Sequence, residues 1–351
     1  MNTKKPSTGR RQHKNVTVND VAELAGVSPM TVSRVVNNED NVRQSTREAV
    51  TRAIEQLGYR PNKAARSLAS ANPVKFGLVY TDKDNSFFHA MMRGFLDRAH
   101  HADTQVLIEQ CEEGPDSLRV IEKLINEGID GIMLGPPLCD SKDAMDLMQK
   151  RRLPAVTIGS RHTMEFISEI RVDDHAASKE MTEYIISLGH RRIAFIIGNE
   201  NQSASWMRLD GFRDAMSAAG LEVAEELVIQ GNFSYRSGKL ETEKLLDLPE
   251  PPTAIINSND DMAAGSIAAA HQRSLDVPGD VSICGFDDTM LAVAIEPEIT
   301  TIRQPIVEMA HDAIRLLEKS IRSIRNDDNY RGFRDILDYE LVIRDSVGPV
   351  A

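Results

Sequence analysis

Four short stretches gather carboxylates, amides and a guanidinium beside aromatic rings. TDKDNSFF at 81–88 carries Asp82, Asn85, Phe87 and Phe88, and GSR at 159–161 carries Ser160 and Arg161. NSND at 257–260 carries Asn259 and Asp260, and GFDD at 285–288 carries Phe286, Asp287 and Asp288. Planar groups that donate or accept two hydrogen bonds, set beside an aromatic face, suit a polyhydroxyl ligand. The same residue types do not compose a catalyst. The chain has no phosphate loop, no nucleophile elbow and no metal cluster, and the glycines of GIDGIMLG do not form G-x-G-x-x-G between a strand and a helix. His100, His101 and His175 lack partners at metal-ligand spacing, and His190 in GHRR reads as a turn residue. The expectation is a binding site with no cofactor, in a protein that is not an enzyme. Plainer readings stand beside it: Asp287 or Asp288 capping a turn, Asn259 capping a helix, and Phe87, Phe88 and Phe233 filling a core.

A second chemistry is written in residues 16–68. Val18, Val21, Ala22 and Ala25 recur at i, i+3, i+4 and i+7, one face of a helix, with Thr17 and Asp20 as a capping pair and Gly26 as a left-handed stop. Ser28 caps a second helix, Pro29 stands in its first turn, and Val32, Val35 and Val36 form its inner stripe. Ser45 and Glu48 form an S-x-x-E capping box for a third, whose inner face is Val50, Ala53, Ile54 and Leu57 and which Gly58 ends. Helix, short glycine turn, helix is the unit whose second helix enters the DNA major groove. The valine stripe leaves Pro29, Met30, Thr31, Ser33 and Arg34 outward. Arg34 fits guanine O6 and N7, Met30 a thymine methyl, and Thr31 and Ser33 the phosphates. Thr17 and Asn37 are placed with them. A small three-helix protein–protein module is the competing reading.

PNKAARSLAS follows, a short basic, alanine-rich helix with Asn62 as a possible cap and with Lys63 and Arg66. So short a helix forms only against a partner. Leu68 near its end is an apolar side chain of the kind that wedges between base steps in a minor groove. A semi-flexible linker is the alternative.

Charge supports the division. The 351 residues carry a net charge of −12, split into +6 over residues 1–72 and −18 over the rest. A basic head on an acidic body suits phosphate contact by the head and weak indiscriminate sticking by the body. Cys111, Cys139 and Cys284 are odd in number and scattered, which points to a reducing compartment and buried thiols. No apolar run approaches the length of a membrane span, and no apolar segment follows the basic N-terminus. A cytoplasmic, nucleoid-associated bacterial protein without membrane contact is expected.

From Val74 on, apolar runs alternate with helical stretches. The strands are predicted at 74–81, 104–110, 130–135, 154–159, 192–198, 227–231, 253–258 and 281–286. Such alternation predicts parallel α/β sheets, and eight units predict two lobes. Ligands in such sheets bind beyond the carboxyl ends of the strands, so those ends should face one cleft. The tail offers one more strand, RDILDYELVI, and no leucine heptads. A two-fold dimer is therefore expected rather than a coiled-coil tetramer.

DVAELAGVSPMTVSRVVN, then TREAV and LGYRPNKAARSLA, resemble the lactose/purine repressor family of bacterial transcription regulators. The body motifs LGHRRIAFIIG, MRLDGFRDAM, VPGDVSICGFDD and TTIRQP resemble the periplasmic sugar-binding core that the same family carries. The resemblance implies a ligand-responsive regulator, most readily a repressor of a carbohydrate-use operon, that binds a palindromic operator as a homodimer. A sugar or glycoside effector would lie between the lobes, with a nucleobase as the alternative. It makes Leu68 the intercalating leucine and Pro29, Met30 and Arg34 base-reading positions. It makes Arg208, Asp287 and Asn259 effector contacts, with Phe233 as a stacking ring and Phe87 and Phe88 as an aromatic pair. Gly159 stands where the lactose repressor has a ligand-binding Asp, which moves that duty to Ser160 or Arg161. Trp206, two residues before Arg208, is either a ligand contact or helix-start packing.

The implied organisation is a basic disordered arm at 1–15, a helix-turn-helix domain at 16–60 and a hinge helix and linker at 61–72. An N-terminal lobe follows from 73–172 and 305–330, and a C-terminal lobe from 173–304 and 331–347. The chain should cross between lobes near 161–173, 303–305 and 331. A transport sugar-binding protein and an α/β enzyme are the other classes; each fits the body and leaves the head unexplained.

Overall fold

The computed structural model describes residues 16–36, 42–59, 74–81, 85–101, 104–161, 164–326 and 330–350. It divides at Pro73 into a small helical unit and a large α/β unit.

The small unit holds α1 (Val18–Ala25), α2 (Pro29–Val36) and α3 (Gln44–Leu57). Val21, Ala22, Val32, Val35, Val50 and Ala53 are buried together, as the valine and alanine spacing requires. Thr17 and Asp20 close a capping box on α1, and Gly26 ends that helix at φ 66°. The Ser28 hydroxyl accepts from the Thr31 N–H at the start of α2. The expected Ser45–Glu48 box does not form. α3 starts two residues earlier, with Arg43 as an N-cap lacking a side-chain bond, so Ser45 lies inside the first turn. Glu48 instead accepts from the Gln44 amide at 3.2 Å.

The large unit runs β1 (Val74–Tyr80), α4 (Ser86–His101), β2 (Thr104–Gln110), α5 (Pro115–Asn126), β3 (Gly131–Leu134), α6 (Lys142–Arg151), β4 (Ala155–Ile158) and β5 (Ser168–Val172). It continues with α7 (Asp174–Ser187), β6 (Ile193–Ile197), α8 (Ser203–Ala218), β7 (Val228–Gln230), α9 (Tyr235–Leu246), β8 (Ala254–Asn257), α10 (Asp260–Gln272) and β9 (Ser282–Cys284). It closes with β10 (Thr301–Arg303), α11 (Ile306–Asn326), β11 (Arg334–Leu337) and β12 (Glu340–Val342).

Two parallel sheets result. The first has the order β11-β5-β4-β3-β1-β2 and the second β7-β6-β8-β9, with β10 and β12 as a separate antiparallel pair. That pair is tied to the second sheet by bridges from Cys284 to Thr300 and from Asp287 to Arg303. Strands buried on both faces read as unbroken apolar runs, and β3, β4, β6 and β8 are buried along their whole length. Each sheet is covered on both faces, the first by α4 and α11 on one side and α5 and α6 on the other. The second is covered by α9 and α10 on one side and α7 and α8 on the other. Cys111, Cys139 and Cys284 are buried free thiols. Among the described residues, no helix is long and apolar enough to cross a membrane.

All eight predicted body strands are present. The tail departs from expectation. RDILDYELVI is two strands in different lobes: β11 pairs with β5 of the first sheet, and β12 pairs with β10, which is bridged to the second sheet. The third crossing therefore falls at Asp338–Tyr339 rather than near 331, and residues 334–337 belong to the first lobe. The cause is β5, which lies within the stretch 161–173 expected only to connect the lobes. The Glu169 N–H donates to the Phe333 carbonyl at 2.8 Å, so the overlooked strand supplies the edge that holds β11.

Close helix packing sets the floor of the second lobe. A Cβ on Gly238 of α9 would lie 2.1 Å from the Met262 carbonyl oxygen of α10. Gly238→Ala is expected to lose roughly 1–3 kcal/mol of stability, as overpacked sites do, and to shift the urea midpoint down.

Candidate functional site

On the small unit, α2 buries Val32 and Val35 and turns the other way Met30, which is 67% exposed, along with Pro29, Ser33 and Arg34. The Arg34 guanidinium lies 3.8 Å from the Met30 sulfur, four residues back on the same face. Thr31 is half-buried and its hydroxyl shares a 2.9 Å hydrogen bond with that of Ser28. The Thr17 hydroxyl is bound at 2.7 Å to the Asp20 carboxylate, so its first role is to hold α1. Asn37, Asn62, Arg66 and Leu68 lie outside the described residues, as does Asp82.

In the large unit, a cleft lies between the lobes. The first lobe contributes Asn85, Phe87, Pro136 and Gly159. The second contributes Asp174, Gln202, Ala204, Arg208, Phe233, Asn259 and Asp287, and Gln304 comes from the second crossing.

Arg208 is the centre of the second lobe's wall and is 5% exposed. Its Nε donates to Asp174 Oδ1 at 2.8 Å and its Nη1 donates to the Ser258 carbonyl. Its guanidinium carbon stands 3.7 Å from the centre of the Phe286 ring and 5.8 Å from that of Phe233. Asp287 Oδ1 is 3.9 Å from Nη1 and accepts from the Gln304 amide at 2.7 Å. Burial pushes the carboxyls of Asp174 and Asp287 above the usual carboxylate range, against the pull of Arg208, and Asp287 is moved far. Asp287 sits at φ 116° and Phe233 at φ 66°, both in the left-handed region that non-glycine residues rarely occupy.

Two further carboxylates stand behind this wall. Asp260 is fully buried and accepts from the Thr289 N–H and from the hydroxyls of Thr289 and Thr301. Burial raises its carboxyl to about 7 in spite of those bonds. Asp261 reaches across to the first lobe, where Ser86 donates to it from its hydroxyl at 2.9 Å and from its N–H at 3.3 Å. A second bridge closes the other edge: Asp140 accepts from the Ser203 N–H at 2.9 Å, and the Arg161 N–H donates to the Ser203 hydroxyl at 3.1 Å.

Six of the expected effector contacts line the cleft: Asn85, Phe87, Arg208, Phe233, Asn259 and Asp287; Gly159 lines it too, although the sequence moves the duty at that position to Ser160 or Arg161. Asn259 does so while capping α10, its Oδ1 accepting from the Met262 N–H and its Nδ2 donating to the Phe233 carbonyl. Four do not line it. Ser160 is buried and donates to Asp140 at 2.6 Å. Arg161 is exposed and clasps the cleft edge. Trp206 is 44% exposed and its indole N–H is bound to the Glu200 carbonyl, which is helix-start packing. Phe88 stacks on Tyr80 with ring centres 4.7 Å apart.

Asp174, Gln202 and Gln304 were missed. Asp174 follows β5, the unread strand. Gln202 follows β6 and Gln304 follows β10, so the strand-end rule applied to every strand would have found all three.

The residues 17–62 match the family model of bacterial regulatory proteins, lacI family, and residues 182–347 match that of a periplasmic binding protein-like domain. Catabolite control protein A of Priestia megaterium is 34% identical over 307 residues, 87% of this chain and 92% of that protein. The chain belongs to the lacI family of bacterial regulatory proteins. Like that family, it is a ligand-responsive DNA-binding transcriptional regulator. A transcriptional regulator CelR–cellobiose complex has a TM-score of 0.71 to this lacI-family chain at 30% identity, covering 94% of this chain and 99% of that one. The lac repressor dimer bound to operator and the anti-inducer ONPF has a TM-score of 0.70 at 26% identity, covering 96% and 100%.

Asp260 gives the regulator core a pH signature. The folded carboxyl keeps its proton up to about 7, whereas its ordinary value is 3.8. Across that window the folded state binds more protons, so this group's contribution makes stability fall as pH rises from 3.8 through 7 and then level off. Urea midpoints measured along the pH scale should show a flatter profile over that window for Asp260→Asn than for the wild type.

Proposed function

We propose that this regulator represses genes of carbohydrate use, binding a palindromic operator as a homodimer and responding to a neutral or amine-bearing sugar held between its lobes. One observation carries the reading: a buried guanidinium flanked by two carboxylates, with aromatic rings and side-chain amides on the same walls. Such a set offers donors and acceptors in equal supply, as vicinal hydroxyls require, and its carboxylates oppose an anion. The cellobiose held by CelR and the operator held by the lac repressor dimer support it by likeness.

Both lobes supply cleft residues, so a ligand there favours the closed arrangement over an open one by its differential contacts. Closure is then coupled to operator affinity through the segment that contains Leu68, and the coupling is reciprocal. Arg34, with Met30, Ser33 and Thr31 beside it, reads the half-site, and Arg66 and Asn62 contact the backbone near Leu68.

A thermal-shift screen over sugars and nucleobases comes first. Stabilisation by nucleobases alone would overturn the sugar reading. Arg208→Ala is expected to abolish release or recruitment of operator by the stabilising sugar while leaving ligand-free operator affinity within about twofold, measured by fluorescence anisotropy. Arg34→Ala should cost about 1–3 kcal/mol of discrimination between the cognate half-site and one with its guanine replaced. An unchanged preference would remove Arg34 from the reading set.

A further inference from the structure

The face that α2 turns to solvent carries little hydrogen-bonding chemistry. Pro29, Met30, Ser33 and Arg34 are exposed on it, with Val32 and Val35 buried beneath. Pro29 has neither an N–H nor a polar side chain, and Met30 ends in a thioether, a weak acceptor. Thr31 is half-buried and shares its hydroxyl with that of Ser28. Among residues 29–34, Arg34 alone carries donors in a fork. One group on this face can therefore grip a base edge by two parallel hydrogen bonds. Beside it stands Met30, at 67% the most exposed large apolar side chain among the described residues of the small unit.

An apolar side chain held out in water gains free energy only when something apolar covers it. On the base edges of the major groove that partner is the C5-methyl of thymine. The spacing of the two side chains says where the methyl must lie. Positions 30 and 34 are four apart on one helix face. Arg34 Nη2 stands 3.8 Å from Met30 Sδ, close to the rise of about 3.4 Å between successive nucleotides of a strand. Two tips so spaced address one base pair or two adjacent ones. A G·C pair held by Arg34 through guanine O6 and N7 shows the cytosine amino group and no methyl. The methyl under Met30 then belongs to the neighbouring pair.

We propose that Met30 and Arg34 form one reading unit for a guanine and an adjoining thymine, in which Met30 selects the thymine by its methyl group alone. This rests on the reading of α2 as the half-site reader and deepens it. Met30 is then a specificity-determining residue that makes no hydrogen-bond demand on the pair it covers. A base pair read for its methyl and not for its donors and acceptors can be replaced by another that carries the methyl, so 5-methylcytosine should serve in place of thymine.

The test alters the DNA as well as the protein. Duplexes enriched from a random library by the full-length protein supply the probe, with affinity read by fluorescence anisotropy at one fixed salt concentration. The enriched half-site should hold the guanine whose discrimination Arg34→Ala removes, with a thymine in the next pair. Deoxyuridine in place of that thymine deletes one methyl and keeps the base pairing. Affinity should fall about fourfold for one half-site and about fifteenfold for both, the worth of one buried methyl at each. 5-Methylcytosine opposite guanine should bind within about twofold of thymine, and unmethylated cytosine should bind more weakly than its methylated form. Met30→Ala should bind the thymine and deoxyuridine duplexes alike, near the wild type's affinity for the deoxyuridine duplex. Met30→Leu, apolar and of similar volume, should keep the difference. Affinity for a scrambled duplex like that of the wild type shows that the head of each variant is folded.

A half-site with the guanine and no thymine beside it would overturn the methyl reading and leave the operator reading standing, as would equal binding of thymine and deoxyuridine duplexes by the wild type. A difference that persists in Met30→Ala would give the methyl to another side chain and overturn the assignment to Met30. A library from which no duplex is enriched would overturn the operator reading and this one with it.

Discussion

The burial of one guanidinium organises the second lobe. Arg208 leaves α8, lies against the first turn of α7 through Asp174, reaches the end of β8 at the Ser258 carbonyl and stacks on Phe286 beyond β9. A charge at that depth is tolerated only when its donors are met and an opposite charge stands near. The elements that meet it are the ones whose ends form the cleft. The ion pair therefore fixes the geometry of the ligand wall before any ligand arrives, which lowers the ordering cost of binding.

The first lobe brings little charge to that wall. Asn85 caps α4 and Phe87 lies on its first turn, and Gly159 presents backbone at φ 73°. What joins the lobes across the cleft edges is a small set of hydrogen bonds through Asp261, Asp140 and the Arg161 N–H, each with a serine on the opposite side. Such bonds are individually worth about 0.5–1.5 kcal/mol. They are enough to define a closed arrangement and few enough that a ligand's contacts can decide its population.

Much of this was legible in the residues. Valine spacing at 32 and 35, the glycine stops at 26 and 58, and eight apolar runs were sufficient for the head, for the second sheet and for β1 to β4 of the first. The failures share a cause. SEIRV at 168–172 has charges at alternate positions and no apolar run, because Glu169 and Arg171 neutralise one another inside the lobe. Nothing in its pattern announces a buried strand, yet it pairs with β11 and delivers Asp174 to the cleft. Ser160 and Trp206 failed for another reason: proximity in sequence to a ligand position does not say which way a side chain turns. The Ser160 hydroxyl found Asp140, and the indole of Trp206 found a backbone carbonyl.

The split of the tail into β11 and β12 has a consequence for biosynthesis. The first sheet gains its last strand from residues 334–337 and the helix over one of its faces from residues 306–326. An emerging chain thus completes the second lobe's sheet while the first still shows the apolar face that α11 later covers. The second lobe's four-stranded sheet therefore closes before the first sheet does, although the first begins earlier in the chain. Partly made chains should for that reason depend on holdase chaperones until synthesis has passed β11, because exposed apolar sheet faces associate with one another.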